Sequence, residues 1–140
     1  MALRLSRAHK IDLLRGIPLF GGCSRSELQA VARVADELAL PEGRVLMREG
    51  AAGRELVVVV DGKVAVERGG KRIAVKGPGD FLGELALVTG RPRTATVTAA
   101  TPLRALVVDG LSFDRLLRDV PTIAVKVMKA VAERLPPEDA

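Results

Sequence analysis

The residues of this chain able to do chemistry are gathered between Phe81 and Val97. Gly83 and Glu84 open what reads as a single helical turn, and Arg93, Thr94 and Ala95 lead into a strand. A glycine lets a ligand approach the backbone, and the first amides of a helical turn have no intrahelical partner, which together make an anion site. Arg93 adds two parallel donors and a charge that does not titrate away. Glu84 is badly placed beside an anion unless it has another task, and accepting a hydrogen bond from a hydroxyl suits it. Thr94 and the amide of Ala95 supply further donors, and a threonine hydroxyl also accepts from an exocyclic amine. The stretch asks for a ligand in which one phosphate and one free hydroxyl lie close together. An isolated Glu and Arg more often form a structural ion pair. It is the ordered set Gly83-Glu84-Leu85-Ala86, then Arg93-Thr94-Ala95, set between two strands, that favours the ligand.

The elements that must hold this stretch are legible in the punctuation of the chain. From Arg44 to Asp109, apolar and β-branched runs alternate with glycines and prolines at strand-scale spacing: Val45 to Arg48, Leu56 to Val60, Val64 to Glu67, Arg72 to Lys76, Thr94 to Thr98 and Leu103 to Val108. Asp61-Gly62, between two valine-rich runs, carries the strongest two-residue hairpin signal. About eight short strands with no helical crossover except near residue 84 predict a mainly β (α+β) fold, an antiparallel jelly roll. An apolar wall beside one phosphate and one sugar hydroxyl describes a cyclic nucleotide rather than a triphosphate.

Helices flank the roll. Leu3, Leu5, Ile11, Leu13 and Leu14 among basic residues predict an amphipathic helix running into Gly16 and Pro18. Ser24-Arg25-Ser26-Glu27 is a capping box, and Leu28, Val31, Ala32, Ala35 and Leu38 then fall on one helical face. After Gly110 two more helices follow, the second opened by Pro121 and stopped by Pro136-Pro137. The expected layout is one domain over 1–140: N-terminal helices in 1–40, the roll in 41–109 with its short cassette helix inside 81–97, and two C-terminal helices in 110–135.

Composition narrows the function classes. The chain has 140 residues, 48% of them hydrophobic, enough for one domain with its own core. With three Phe and no Trp or Tyr, it has few rings on which to stack single-stranded bases. The net charge of +5 is spread along the chain with no nucleic-acid recognition motif. The single cysteine, Cys23, excludes an internal disulfide and fits a reducing cytoplasm as a packing residue. No stretch approaches the length of a membrane span. A jelly-roll metalloenzyme needs clustered histidines, whereas the sequence has His9 alone, so no metal is expected.

Phe81, Gly83-Glu84-Leu85-Ala86-Leu87 and Pro92-Arg93-Thr94-Ala95-Thr96-Val97 resemble the phosphate-binding cassette of cyclic nucleotide-binding domains. Leu19-Phe20, Gly43, Gly50, Gly62 and the two final helices also match that family's layout. The resemblance implies that Arg93 holds the cyclic phosphate with the amides of Leu85, Ala86 and Ala95, and that Glu84 accepts from the ribose 2′ hydroxyl. It further implies that Gly83 makes room for the sugar and that Val66 packs on the base. Thr94 would contact a guanine, and Arg134 and Leu135 stand where a base lid would be. The expected ligand is cAMP or cGMP, with no cofactor. The expected role is a stand-alone cytoplasmic sensor without a DNA-binding domain, signalling to an effector protein through its C-terminal helices and able to form a homodimer. The alternative is a domain that keeps the fold, has lost the ligand and acts only through protein contacts.

Overall fold

A computed structural model describes residues 5–133. Its contacts divide into two compact units, one running from Ala35 to Gly110 and the other combining Leu5–Val34 with the described residues from Leu111 onward.

The first unit is the roll. Among the described residues its strands are β1 (Ala35–Leu40), β2 (Val45–Met47), β3 (Glu55–Asp61), β4 (Val64–Arg68), β5 (Lys71–Lys76), β6 (Phe81–Leu82), β7 (Thr96–Ala99) and β8 (Leu103–Asp109). They form two four-stranded antiparallel sheets, ordered β1-β8-β3-β6 and β2-β7-β4-β5. Met47, Val57, Val59, Val64, Val66, Val97, Leu103, Ala105 and Val107 meet in a shared core, so both sheets turn alternate residues inward. Leu56, Val58, Leu106 and Val108 on the opposite face of β3 and β8 are also fully buried. Burial on both faces explains why Leu56 to Val60 is a continuous apolar run rather than an alternating one. Between β6 and β7 lies the short helix α3 (Glu84–Thr89).

Two expectations are corrected here. The helix predicted to reach Leu38 ends at Arg33, and Ala35–Leu40 is a strand, so the roll begins at residue 35 and not 41. The apolar residues of Val34-Ala35-Asp36-Glu37-Leu38-Ala39-Leu40 fit either period. The edge of β8 decides between them, offering partners from Ala35↔Val108 to Leu40↔Leu103, while Leu38 stays 42% exposed. Asp61-Gly62 also does not close a hairpin. β3 pairs with β8 and β6, β4 pairs with β5 and β7, and the turn carries the chain from one sheet to the other. Only Gly62 there has positive φ, and a side chain on it would strike the Pro102 carbonyl and the Thr101 hydroxyl. The two-residue hairpin lies instead between β4 and β5, at Gly69-Gly70, with φ of 60° and 79°.

The second unit is helical. Ser6 caps α1 (Arg7–Arg15) by accepting from the His9 amide at 3.0 Å, and Gly16 ends it. A 3-10 turn at Pro18–Phe20 leads to α2 (Arg25–Arg33), whose capping box has both arms: Glu27 amide to Ser24 hydroxyl, 3.2 Å, and Ser24 amide to Glu27 carboxylate, 2.7 Å. α4 (Gly110–Asp119) and α5 (Pro121–Ala132) complete it. Phe20 meets Phe113 edge to face at 6.3 Å, and Lys126 of α5 donates to the buried Glu27 carboxylate.

Candidate functional site

The loop between β2 and β3 fixes Arg93 through its backbone. The Gly50 amide donates to the Arg93 carbonyl (2.7 Å) and the Arg93 amide donates to the Ala51 carbonyl (2.9 Å). The side chain then turns inward, leaving the residue 8% exposed. Its Nη2 donates to the Glu55 carbonyl at 3.1 Å, while the buried Nη1 has no hydrogen-bond partner. Burial pushes the Arg93 pKa below its ordinary value, and the Glu55 carboxylate opposes that shift. Glu84 is not its partner, so the structural ion pair that an isolated Glu and Arg would suggest is not the arrangement of Arg93. A buried guanidinium with an unused donor is costly unless something fills that position, and an anion does so best.

Two glycines make the space around this guanidinium. Gly83, φ +80°, precedes α3, and a β-carbon there would lie 2.6 Å from Nη1 of Arg93 and 3.1 Å from Cε of Met47, and would strike the Glu55 carbonyl. Gly53 is the second: a β-carbon would come within 3.2 Å of the Arg93 Nε. Glu84, the first residue of α3, is buried at 5% exposure, and a carboxylate in a first helical turn is favoured by the helix dipole. A guanidinium donor, the start of a helix and a carboxylate therefore follow one another in one small region. The set suits a ligand with an anionic group and a hydroxyl.

The remaining sequence-predicted residues distribute unevenly. Val66 and Ala95 join the core shared by the two sheets, with Val66 paired to Val97 on β7. Leu85 is 44% exposed and Ala86 half-buried on α3. Thr94 is exposed, and its carbonyl accepts from Arg68 Nε at 2.9 Å. Phe81 pairs with Val58 whereas Leu82 pairs with Val57, a residue of the inner core. Cross-strand partners share a face, so Leu82 turns toward the interior and Phe81 away from it. Arg134 and Leu135 lie outside the described residues. Sequence reasoning missed Gly53, the Glu55 carbonyl and Met47. A glycine two residues before an apolar strand was the available signal, and it pointed to Gly53.

Other candidates carry less. Burial pushes the Cys23 thiol pKa up, which disfavours a nucleophile, and His9 is exposed on α1. Among the described residues no three of His, Cys, Asp and Glu gather as a metal site, and no helix is long and apolar enough to cross a membrane.

The profile of the cyclic nucleotide-binding domain matches residues 37–120. A cyclic nucleotide-gated potassium channel of Rhizobium etli is 33% identical over 88% of this chain and 34% of its own length. A CRP-like cAMP-activated global transcriptional regulator of Mycobacterium tuberculosis is 28% identical over 89% of this chain and 58% of its own. The N-terminal domain of a transcriptional regulator from Streptomyces coelicolor superposes with a TM-score of 0.81 at 34% identity, covering 88% of this chain and 91% of that one. The chain thus spans about a third of the channel and somewhat over half of the mycobacterial regulator.

Proposed function

The chain belongs to the cyclic nucleotide-binding domain family, and from that premise we propose that it is a non-enzymatic sensor for cAMP or cGMP. In this reading Arg93 holds the cyclic phosphate through the fork that includes the unused Nη1. The amides of Leu85, Ala86 and Ala95 assist it, and Glu84 accepts from the ribose 2′ hydroxyl. Gly83 leaves the sugar its space, Val66 and the neighbouring apolar wall face the base, and Thr94 contacts it at the rim. The observation that carries the reading is the buried, half-satisfied Arg93 guanidinium beside a position that only glycine leaves open. It also disfavours a domain that has lost its ligand, since no group of the protein accepts from that donor.

The domain would act as a single receiver over 1–140, with occupancy relayed to an effector protein through α4 and α5. A ligand shifts such an equilibrium only by binding one arrangement more tightly. Pairing of two copies through α5 belongs to the same reading, and the exposed Val125 and Met128 on that helix support it. The setting we propose is the cytoplasm.

Thermal melting with each nucleotide tests the reading, because a ligand that binds only the folded state raises the melting temperature by mass action. A rise with cAMP or cGMP, and none with AMP, is expected. No rise with either cyclic nucleotide at millimolar concentration contradicts it.

A further inference from the structure

Arg54, directly before β3, does something that neither the cassette motif nor the family match assigns to it. Its Nε and Nη2 both donate to the Leu87 carbonyl, at 3.1 and 2.7 Å. Leu87 is fully buried in α3, which has only six residues. A helix this short does not persist on its own, and its last carbonyls lack intrahelical partners. The protein satisfies two of them, those of Ala86 and Leu87, and adds a side-chain bond to the carbonyl before them. The Thr89 hydroxyl donates to the Leu85 carbonyl (2.9 Å), the Gly90 amide to the Ala86 carbonyl (2.9 Å), and Arg54 takes Leu87. A guanidinium at this end also complements the negative end of the helix dipole.

Two glycines are fitted to the Arg54 stem. Gly90, φ +68°, ends α3, and a β-carbon on it would come within 3.7 Å of Arg54 Cδ. Gly110, the first residue of α4, is packed more tightly: a β-carbon there would lie 2.8 Å from Arg54 Cβ and 3.0 Å from its Cζ and Nη1. One side chain therefore starts at β3, holds the end of α3 and lies against the residue where α4 begins.

We propose that Arg54 is a positioning residue: by anchoring the Leu87 carbonyl it sets where the opposite end of α3, with Glu84 and the first amides, stands relative to Arg93. The proposal rests on the nucleotide reading of the site. Without the clamp α3 frays from its C-terminal end, and the phosphate-binding turn must be ordered at the ligand's expense, which weakens binding without removing any group that touches the ligand.

The experiment combines nucleotide titration of the full chain with amide hydrogen exchange of the ligand-free protein, for wild type, Arg54→Ala, Arg54→Lys and Gly110→Ala. Arg54→Ala should weaken cyclic nucleotide binding about tenfold, the scale of losing a charge-assisted pair of donors. It should also speed exchange of the Leu87 and Gly90 amides while leaving the β4–β7 amides unchanged. Arg54→Lys, which returns the charge but not the fork, should fall between. Gly110→Ala improves helix propensity, so a loss of affinity there reports displacement of Arg54 and not a weaker α4. The proposal is overturned if Arg54→Ala leaves exchange at Leu87 and Gly90 at the wild-type rate. It is equally overturned if exchange quickens throughout the roll, or if it quickens at α3 alone and affinity stays within twofold. Should the wild type bind neither nucleotide, the functional reading falls, and exchange at Leu87 and Gly90 alone decides the clamp.

Discussion

A β-carbon on Gly83 would stand 2.6 Å from Nη1 of Arg93, so these two residues share a space that exists only because one of them has no side chain. Gly83 also holds φ +80°, where an L-residue is strained by about 1 kcal/mol or more. Gly83→Ala should therefore lower the melting temperature by a few degrees and, by pushing Arg93 aside, reduce nucleotide affinity at least about tenfold. Calorimetry beside thermal melting separates the two effects. Full affinity in a destabilised variant would show that the closeness of Gly83 and Arg93 is only a matter of packing.

Acid stability is set partly by Glu27. The bond from Lys126, then those from Thr122 and Ser24, hold its carboxyl at about 2 rather than the usual 4.5. A pKa depressed by folding stabilises the native state fully above about 4.5, and that stabilisation is lost as pH falls toward 2. Glu27→Gln should be less stable than wild type at pH 7 in urea, with the gap closing between pH 4.5 and pH 2. A gap that does not change with pH would contradict the assignment.

The β4–β5 turn provides a control away from the site. Gly70 holds φ +79° with open space around it, so Gly70→Ala should cost about 1 kcal/mol through backbone strain alone. Denaturant unfolding should show that loss while nucleotide affinity stays at the wild-type value. A coupled loss of affinity would mean that this hairpin takes part in the site.

What could be read from the chain divides along a physical line. Gly83, Glu84 and Arg93 stood out as candidates because their order and spacing, and not any one residue type, ask for a single ligand, and the capping box at Ser24 and Glu27 was legible because its parts are three residues apart. β1 was not, because the pairing that makes Ala35–Leu40 a strand comes from β8, far along the chain. Asp61-Gly62 and Gly69-Gly70 offer similar turn chemistry, and only the sheet to which each strand is assigned tells them apart. Phe81 and Leu82 differ by one position, which in a strand reverses the face. The clamp by Arg54 carried no signal, since it ends on a main-chain carbonyl 33 residues away and any residue type supplies a carbonyl.

Thr94 is exposed beside Arg93, and in the proposed reading its hydroxyl accepts from the exocyclic amine of a guanine at the rim. Thr94→Ala should therefore weaken cGMP by about 1 kcal/mol more than cAMP in competition titrations. Equal losses for both nucleotides would remove Thr94 from base recognition.

The most direct test of the account is calorimetric titration of wild type and Arg93→Ala with cAMP and with cGMP. Wild type should bind at least one of them, and Arg93→Ala, folded by circular dichroism, should lose about 2 to 5 kcal/mol of that binding, the cost of removing one partner from a buried charge pair. Equal binding by the two proteins would contradict the central claim that the unused donor of Arg93 is kept for the cyclic phosphate.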